Sequence, residues 1–274
     1  MSEEKIRLDM LVVQKQLASS REKAREYILT GKIYVNGEVE KKCGLKVKCD
    51  VEVEMRGEAI PYVSRGGLKL HKALKDFSID LNDSVCLDIG ASTGGFTECM
   101  LKNGAQKVFA IDVGRDQLAE KLRQDSRVVS MEGTNIRNIT PEDIGELCDF
   151  ASIDVSFISL DKVIPHVLNL LKEKGQVVAL IKPQFEAGRG KVSKKGVVKN
   201  SKIHEEVILN IINLLKENNA TIIDLNYSGI KGPNGNIEYL INFTKDSTRI
   251  SNFSLNLVTS TVKVAHDKLN SEDI

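Results

Sequence analysis

The sequence of 274 residues predicts a doubly wound α/β domain that follows a small α+β domain. From residue 85 onward, short apolar runs alternate with amphipathic helical stretches, which is typical of a parallel sheet covered by helices. Before that region the order differs, because two helices come first and short strands follow. The boundary contains Pro61, whose ring restricts its own backbone and that of Ile60. We therefore expect three segments: a small domain at 1–58, a linker at 59–63 and the α/β domain at 64–274.

Helical spacing followed by strand signals predicts the small domain. Leu8, Leu11 and Val12 recur on one helix face, and Ser19 with Glu22 has the form of a capping box that starts a second helix. The strand signals come next: Ile33–Val35, the hairpin dipeptide Asn36-Gly37, and an alternation of apolar and charged residues over 45–53.

The apolar runs of the larger domain give its strands in order. Four short runs are predicted to be buried strands: 85–89, 108–111, 150–153 and 177–181. Two later segments, 221–227 and 239–243, predict further strands, and 255–269 predicts the closing helix.

Composition and charge restrict the class of protein. Hydrophobic residues make up 41% of the chain and charged residues 28%, as in ordinary globular proteins. The net charge is only +1, but seven Lys and Arg stand against three acids over 5–32 and against one acid over 182–202. Such local basic patches are suited to phosphates.

Five scattered cysteines without a C-x-x-C pair argue against disulfides and a metal site. Without a signal sequence or an apolar span, we expect a cytoplasmic protein with no membrane partner.

A glycine-rich turn after the first predicted strand of the larger domain indicates a ligand site. Residues 88–96 read Asp-Ile-Gly-Ala-Ser-Thr-Gly-Gly-Phe, and glycines here let the backbone approach a ligand. The spacing is neither a dinucleotide fingerprint nor a P-loop. Asp88 suits a positively charged ligand, Asp112 lies where ribose hydroxyls would bind, and Asn135 could read an adenine edge. With Asp154, the set resembles the cofactor cleft of a methyltransferase. The alternative is a Rossmann-like domain that binds another nucleotide.

Four charged residues stand at predicted strand boundaries: Lys69, Asp154, Lys182 and Glu238. The topology of a doubly wound sheet brings such positions to one edge, beside the glycine-rich turn. A ribose hydroxyl is a poor nucleophile while protonated, so its methylation needs a base. A neutral lysine can serve, and burial and a neighbouring cation favour the neutral form. We predict that Lys182 is the base, that Lys69 is the neighbouring cation, and that the two carboxylates orient the amines.

These motifs resemble two known families. Residues 7–9, 20–24 and 31–37 resemble a small RNA-binding domain first named from a ribosomal small-subunit protein. The order Lys-Asp-Lys-Glu is similar to that of FtsJ-type 2′-O-methyltransferases. The segments 63–70, 87–98, 154–160 and 182–188 resemble the TlyA family, which methylates the 2′-hydroxyl of cytidine in ribosomal RNA and also carries the name haemolysin.

The resemblance covers nearly the whole chain. It implies a Rossmann-like class I methyltransferase fold, S-adenosyl-L-methionine as cofactor, and ribosomal RNA or ribosomal subunits as partners of a monomer. It implies four catalytic residues, Lys69, Asp154, Lys182 and Glu238. The cofactor contacts implied are Asp88, Gly90, Ala91, Ser92, Gly94, Gly95, Phe96, Asp112, Val113, Asn135 and Asp154. The RNA contacts expected are Arg7, Arg21, Lys23, Arg25, Lys32, Arg65, Arg189 and Lys191.

One departure from the family concerns the linker. Tyr62 stands where some members have a tryptophan that couples cofactor binding to the RNA-binding domain, so we do not infer that coupling. Two other classes of protein stay open. A membrane-lytic protein would need an apolar span, an insertion helix or an export signal. A non-catalytic RNA-binding ribosome assembly factor would not need the four charged residues.

Overall fold

The computed structural model describes residues 5–18, 20–56, 60–188, 190–251 and 253–271. The chain divides into two compact units, Met1–Arg65 and Gly66–Ile274. Each unit has its own set of buried apolar side chains. Among the residues described, no helix combines the length and the apolar character needed to cross a lipid bilayer.

The N-terminal unit consists of two helices and short antiparallel strands. Its elements are β1 (Lys5–Arg7), α1 (Leu8–Gln14), α2 (Arg21–Leu29), β2 (Ile33–Val35), β3 (Glu38–Val39), β4 (Lys46–Lys48) and β5 (Val53–Met55). Strand β1 pairs with β4, and β3, β2 and β5 form a three-stranded sheet in that order. Leu8, Leu11 and Val12 are buried along one face of α1, as their helical spacing predicts.

Two details of this unit differ from the sequence prediction. The alternation over 45–53 does not form one strand, because a turn after Lys48 separates β4 from β5. The two short strands have different partners, since β4 pairs with β1 and β5 with β2. The predicted cap Ser19 lies outside the described residues. Ser20 caps α2 instead, where its Oγ accepts a hydrogen bond from Lys23 N at 3.1 Å.

The C-terminal unit is a seven-stranded sheet with helices on its faces. Its helices are α3 (Gly66–Asp76), α4 (Gly95–Lys102), α5 (Glu120–Arg123), α6 (Pro141–Ile144), α7 (Ile164–Asn169), α8 (Pro183–Glu186), α9 (Ser201–Glu217) and α10 (Asn256–Ser271). Its strands are β6 (Val85–Ile89), β7 (Lys107–Asp112), β8 (Val128–Glu132), β9 (Cys148–Ile153), β10 (Leu171–Ile181), β11 (Thr221–Tyr227) and β12 (Tyr239–Thr244). The sheet order is β11-β12-β10-β9-β6-β7-β8. The predicted α/β class is confirmed.

Strand direction decides which residues meet at the ligand edge of this sheet. Strands β8, β7, β6, β9 and β10 are parallel, whereas β12 runs antiparallel to both of its neighbours. Ile181, the last residue of β10, faces Tyr239, the first residue of β12. The residues just outside these two, Lys182 and Glu238, therefore lie at the same edge. The strand order reverses between β6 and β9, and ligands of open α/β sheets bind at such a switch point.

Burial on both faces explains the composition of the central strands. Every residue of β6 and of β12 is buried, and apolar side chains dominate both strands. A polar side chain in such a strand needs an internal partner. Asn242 of β12 has one, since its Oδ1 accepts a hydrogen bond from Gln176 Nε2 at 2.8 Å. The sheet is thus a rigid support for the loops at its carboxyl edge.

A buried carboxylate organises the start of the N-terminal unit. Asp9 is 0% exposed, and it accepts hydrogen bonds at 3.0 Å from Arg7 Nε and from Arg21 Nε. The hydrogen bond from Arg7 lowers the pKa of Asp9 to about 2, although burial opposes this change. One carboxylate therefore joins the chain at β1 to the start of α2.

We expect the substitution Asp9→Asn to lower the free energy of unfolding of this unit by about 1–3 kcal/mol at neutral pH, since it weakens both charged hydrogen bonds. A depressed carboxylate pKa adds stability above the unfolded value of about 3.9, and this stability is lost as the pH falls towards the folded value. The deficit should therefore shrink between pH 4 and pH 2. Hydrogen exchange of α1 and α2 amides measures it.

Asp125 provides the control, because it accepts hydrogen bonds from Arg127 at the protein surface. The substitution Asp125→Asn should change stability by less than about 1 kcal/mol. Unchanged protection of α1 and α2 in the Asp9→Asn protein would contradict the role given to Asp9.

Candidate active site

The four charged residues predicted from the sequence meet at the carboxyl edge of the sheet. Asp154 follows β9, Lys182 follows β10 and Glu238 precedes β12. Lys69 comes from the first turn of α3, and its side chain is buried. Parallel strands end at a common edge, and the antiparallel β12 begins there. The fold thus brings together four residues that are far apart in the sequence.

These residues form two adjoining buried ion pairs. Lys182 Nζ lies 2.6 Å from Asp154 Oδ1, and Lys69 Nζ lies 2.5 Å from Glu238 Oε2. Their side chains are between 0% and 19% exposed. An uncompensated charge at such a depth would be costly, so the two ammonium groups and two carboxylates depend on one another.

The pKa of Asp154 is lowered by the lysines of both ion pairs, so the two pairs interact electrostatically. Burial by itself would raise the pKa of this carboxyl, but the positive charges of Lys69 and Lys182 outweigh burial and hold it below its ordinary value. Asp154 is therefore ionised and attracts both lysines. The four residues behave electrostatically as one group.

Three further residues hold this group in place and were given no role from the sequence. Lys182 Nζ donates a hydrogen bond to Ser156 Oγ at 3.0 Å, and Gln184 Nε2 donates to Glu238 Oε1 at 3.4 Å. A Cβ atom on Gly232 would lie 2.1 Å from Glu238 Oε1, so only glycine fits there. Ser156 and Gln184 are each two residues from a predicted catalytic residue, which is the signal that could have indicated them.

A cavity of about 500 Å³ lies beside Asp154, within the usual range for small-molecule sites. Asp154 and Ser156 belong both to its wall and to the surroundings of Lys182. A ligand in the cavity would therefore sit next to the ion pairs. The lining residues are Ile89, Gly90, Ser92, Ile111, Asp112, Val113, Gln117, Thr134, Asn135, Ile136, Asp154, Val155, Ser156, Phe157, Ile158 and Val163.

Asp112 fixes the glycine-rich turn that forms one wall of the cavity. Its Oδ2 accepts a hydrogen bond from Ser92 N at 2.8 Å, and its Oδ1 accepts one from Gly114 N at 2.7 Å. Gly90 has a φ of +86°, and a Cβ atom there would lie 2.5 Å from the carbonyl oxygen of Asp154. The turn can approach β9 this closely only because residue 90 has no side chain.

The structure separates the predicted cofactor residues into two sets. Gly90, Ser92, Asp112, Val113, Asn135 and Asp154 line the cavity, whereas Asp88, Ala91, Gly94, Gly95 and Phe96 are not among the described lining residues. Gly94 has a packing role instead, since a Cβ atom there would lie 2.3 Å from Leu122 Cδ1.

Asp88 is completely buried behind the turn, and its contact with a positively charged ligand stays a prediction. Its oxygens accept hydrogen bonds from Thr97 Oγ1 at 2.6 Å and from Ser152 Oγ at 3.1 Å. Burial raises its pKa to about 7, and the two hydroxyls oppose this only in part. Asp88 therefore ties β6 to β9 and to α4, and supports the turn from behind.

The predicted RNA contacts of the N-terminal unit differ in what their charged groups do. Arg7 and Arg21 both bind Asp9. Lys23 Nζ donates to the carbonyl oxygens of Tyr62 and Val63, each at 3.2 Å, and lies 2.8 Å from Glu26 Oε2. The Lys23 ammonium group thus holds the linker, a role that the sequence did not indicate, and its contact with RNA stays a prediction.

The other predicted RNA contacts differ in exposure and in their described partners. Arg25 is exposed, and Lys32 and Arg65 are partly buried. Lys191 forms an ion pair with Glu206, and Arg189 lies outside the described residues.

Comparison with known proteins assigns both units of the chain to known families. Residues 62–245 match the FtsJ-like methyltransferase family, and residues 6–53 match the S4 domain. The C-terminal unit, with its parallel-rich sheet, is thus an FtsJ-like methyltransferase domain. This enzyme class is favoured over the lytic and the non-catalytic alternatives.

Individual relatives place the chain in a narrower family within this class. YqxC of Bacillus subtilis is 48% identical over 242 residues, covering 88% of this chain and 86% of the relative. TlyA of Mycobacterium tuberculosis is 40% identical over 236 residues, covering 86% and 88%. A solved structure described as a hemolysin from Streptococcus thermophilus has 42% identity and a TM-score of 0.80, and it covers 99% of both chains. The chain belongs to the TlyA family.

We expect Gly90→Ala to reduce both stability and cofactor affinity, because its Cβ atom would collide with the backbone of Asp154. Gly145 offers a matched control, since its φ is +78° and a Cβ atom there would meet nothing within 4 Å. Gly145→Ala carries the backbone strain alone, on the order of 1 kcal/mol. Thermal unfolding and calorimetric titration compare the two. An equal, small loss in both proteins would argue against the close approach.

We also expect the free energy of unfolding of the Asp88→Asn protein to increase, relative to that of the unsubstituted protein, as the pH rises. A carboxyl whose folded pKa is raised contributes most stability below its unfolded pKa of about 3.9, and this is lost as the pH rises through about 7. The amide has no such titration. Urea unfolding at pH 5 and pH 8 tests this, and a stability difference that is the same at both pH values would refute the assignment.

Proposed function

We propose that this enzyme methylates the ribose 2′-hydroxyl of a cytidine in ribosomal RNA. The observation that carries the proposal is the Lys182–Asp154 pair at the wall of a ligand cavity, with the Lys69–Glu238 pair beside it. Two relatives support the substrate by name. TlyA of Mycobacterium tuberculosis is named a 16S/23S rRNA (cytidine-2′-O)-methyltransferase, and TlyA of Campylobacter jejuni a 23S rRNA (cytidine-2′-O)-methyltransferase.

S-adenosyl-L-methionine is the methyl donor, and the cavity fits such a molecule. Its volume is sufficient, and the Asp112 carboxylate and the Asn135 amide give it polar groups for ribose and adenine. Gly90 and Ser92 would place backbone next to the ligand, and Asp154 would mark the end nearest the lysines. When bound, the cofactor supplies an electrophilic methyl group on a sulfonium.

The protein has to position a hydroxyl group and remove its proton. We assign proton removal to Lys182 Nζ, which in its neutral form has a lone pair for that proton. Asp154 and Ser156 hold this nitrogen at 2.6 Å and 3.0 Å, so its position beside the cavity is fixed. Lys69 and Glu238 would complete the charge balance as the proton arrives. Fixed geometry of this kind also removes much of the entropic barrier.

An exposed aromatic side chain beside the cavity supports a nucleic-acid substrate. Phe157 is 91% exposed, has a φ of +63°, and lies with its ring centroid 5.0 Å from that of Phe185. A residue with a large aromatic side chain seldom adopts a positive φ. This strained backbone, together with the exposure of the ring, indicates that Phe157 has a function. Unstacked bases bind to such rings. We propose that Phe157 contacts the target base.

The S4 domain is proposed to hold the RNA at a distance from the target nucleotide. Arg25 is an exposed cation of this unit that could meet phosphates, whereas Arg7, Arg21 and Lys23 have partners within the unit. A ribosomal substrate would place the enzyme in the cytoplasm.

The decisive experiment offers radiolabelled S-adenosyl-L-methionine to purified small and large ribosomal subunits separately, and then maps the labelled ribose. We expect a label on a cytidine 2′-oxygen in at least one subunit. A label on a base, or on no ribosomal RNA, would refute the proposed reaction.

We expect Lys182→Ala to lower the single-turnover rate of methyl transfer by about 10²–10⁴-fold, the usual contribution of a general base. Its affinity for S-adenosyl-L-methionine should stay within about twofold, because Lys182 is not among the described residues that line the cofactor cavity. Lys162→Ala serves as a control, since that lysine is 64% exposed and pairs with Asp161. Loss of cofactor affinity in proportion to the loss of rate would count against the assignment of the base.

A further inference from the structure

A second cavity in the C-terminal unit has a strongly basic wall. Its volume is about 1220 Å³, and four lysines line it. Among the described residues that line it, none is acidic. The lining residues are Ser193, Lys194, Lys195, Val197, Val198, Lys199, Lys231, Asn234, Gly235, Ile237 and His266. Four ammonium groups around one concave surface concentrate positive potential and attract a polyanion.

The lysine loop, residues 193–199, is held in a defined shape by its own backbone and by one buried side chain. Gly196 N donates to Ser193 O at 2.8 Å, and Val197 N donates to Ser193 Oγ at 3.1 Å. Asn236 is 3% exposed, and its Nδ2 donates to Gly196 O at 2.9 Å while its Oδ1 accepts from Val198 N at 3.3 Å. The loop is therefore attached to the turn over 232–236.

A buried histidine supports the lysine loop from below. His204 Nε2 lies 2.9 Å from Val198 O, and its Nδ1 lies 2.7 Å from the hydroxyl of Tyr239. Burial lowers the pKa of His204 to about 4, so the ring is neutral near pH 7. A neutral ring can donate from Nε2 to Val198 O and accept at Nδ1 from Tyr239. The loop is thus joined to the first residue of β12.

The same turn contacts the catalytic group. Gly232 packs against the carboxylate of Glu238, where a Cβ atom would be only 2.1 Å away. Ile237, which lines the basic cavity, immediately precedes Glu238. The wall of the cavity and the Lys69–Glu238 pair therefore share one short segment of chain.

We propose that this cavity binds the phosphodiester backbone of the RNA substrate close to the target nucleotide. This inference rests on the proposed function, because it assumes an RNA substrate. It adds to the enzyme a second binding site for that RNA. Lysines bind phosphates as point charges on flexible stems, so they hold a backbone without reading its sequence. The fixed loop would set the distance between that backbone and Glu238, and would present the target ribose to Lys182.

The test compares two triple variants that lose the same charge. One is Lys194→Ala, Lys195→Ala, Lys199→Ala in the cavity. The control is Lys172→Ala, Lys174→Ala, Lys216→Ala. Lys172 and Lys174 lie near the start of β10, and Lys216 lies near the end of α9, about 22 Å along that helix from its start beside the lysine loop. All six side chains are exposed, so both proteins should fold.

Two readouts are measured: binding of ribosomal RNA against salt concentration, and methyl transfer at subsaturating ribosomal subunits. For the cavity variant we expect about 10–100-fold lower kcat/KM. The salt slope, which is the slope of the logarithm of the RNA-binding constant against the logarithm of the salt concentration, should be smaller in magnitude by roughly 0.7–0.9 for each phosphate that the removed lysines no longer neutralise. Its affinity for S-adenosyl-L-methionine should not change. The control variant should keep both the slope and the rate.

An unchanged salt slope and rate in the cavity variant would overturn the proposal, and so would an equal loss in the control variant. A loss of cofactor affinity in the cavity variant would overturn it too, because the cavity would then serve another ligand. The binding readout does not require methyl transfer. If the unsubstituted protein binds RNA but methylates none, the proposed function fails. The salt slopes of the two variants would then still show whether the cavity binds phosphates.

Discussion

The mutual compensation of four buried charges is the constraint on which the rest of the C-terminal unit depends. Two ammonium groups and two carboxylates lie together at one edge of the sheet, with side chains between 0% and 19% exposed. Each charge is compensated by the others at that depth, and each comes from a different part of the chain. The antiparallel β12 is essential for this, because it brings Glu238 to the edge at which β10 delivers Lys182.

Support for this group comes from residues that are inconspicuous in the sequence. Ser156 and Gln184 accept or donate single hydrogen bonds, and Gly232 contributes only the absence of a side chain. Behind the glycine-rich turn, Asp88 plays a similar part by joining two strands and a helix through two hydroxyl groups. Hydrogen bonds around a site fix the rotamers of the groups that do the chemistry, which is why such neighbours matter as much as the reacting residues.

Positively charged side chains have different surroundings in the two units. In the N-terminal unit, Arg7, Arg21 and Lys23 are engaged with Asp9 and with linker carbonyl oxygens, so these cations hold the unit together. In the C-terminal unit, Lys194, Lys195 and Lys199 stand exposed around a cavity without an acidic residue among its described lining. Charge counts along the sequence treat both regions alike. Only the partners of each side chain distinguish a structural cation from one available to a phosphate.

The sequence by itself determined the α/β class, six of the seven strands of the sheet and the four charged residues that meet at its edge, whereas no range was predicted for β8. Apolar periodicity is local, and residues at the ends of strands share an edge by topology, so Asp154 and Lys182 could be named without coordinates. It could not decide which acid lines the cavity. Asp88 and Asp112 both neighbour the glycine-rich turn, but Asp88 points into the core and Asp112 lines the cavity.

Tertiary structure alone decided three further points, because each depends on contacts between distant segments. Pairing with different partners divided the alternation over 45–53 into two strands. The hydrogen bonds from the Lys23 side chain to residues 62 and 63 attach the linker to α2. The hydrogen bonds of Asn236 and His204 joined the lysine loop to the segment that carries Glu238. Spacing along a chain carries no record of such long-range contacts, since they form only when the whole sheet is assembled.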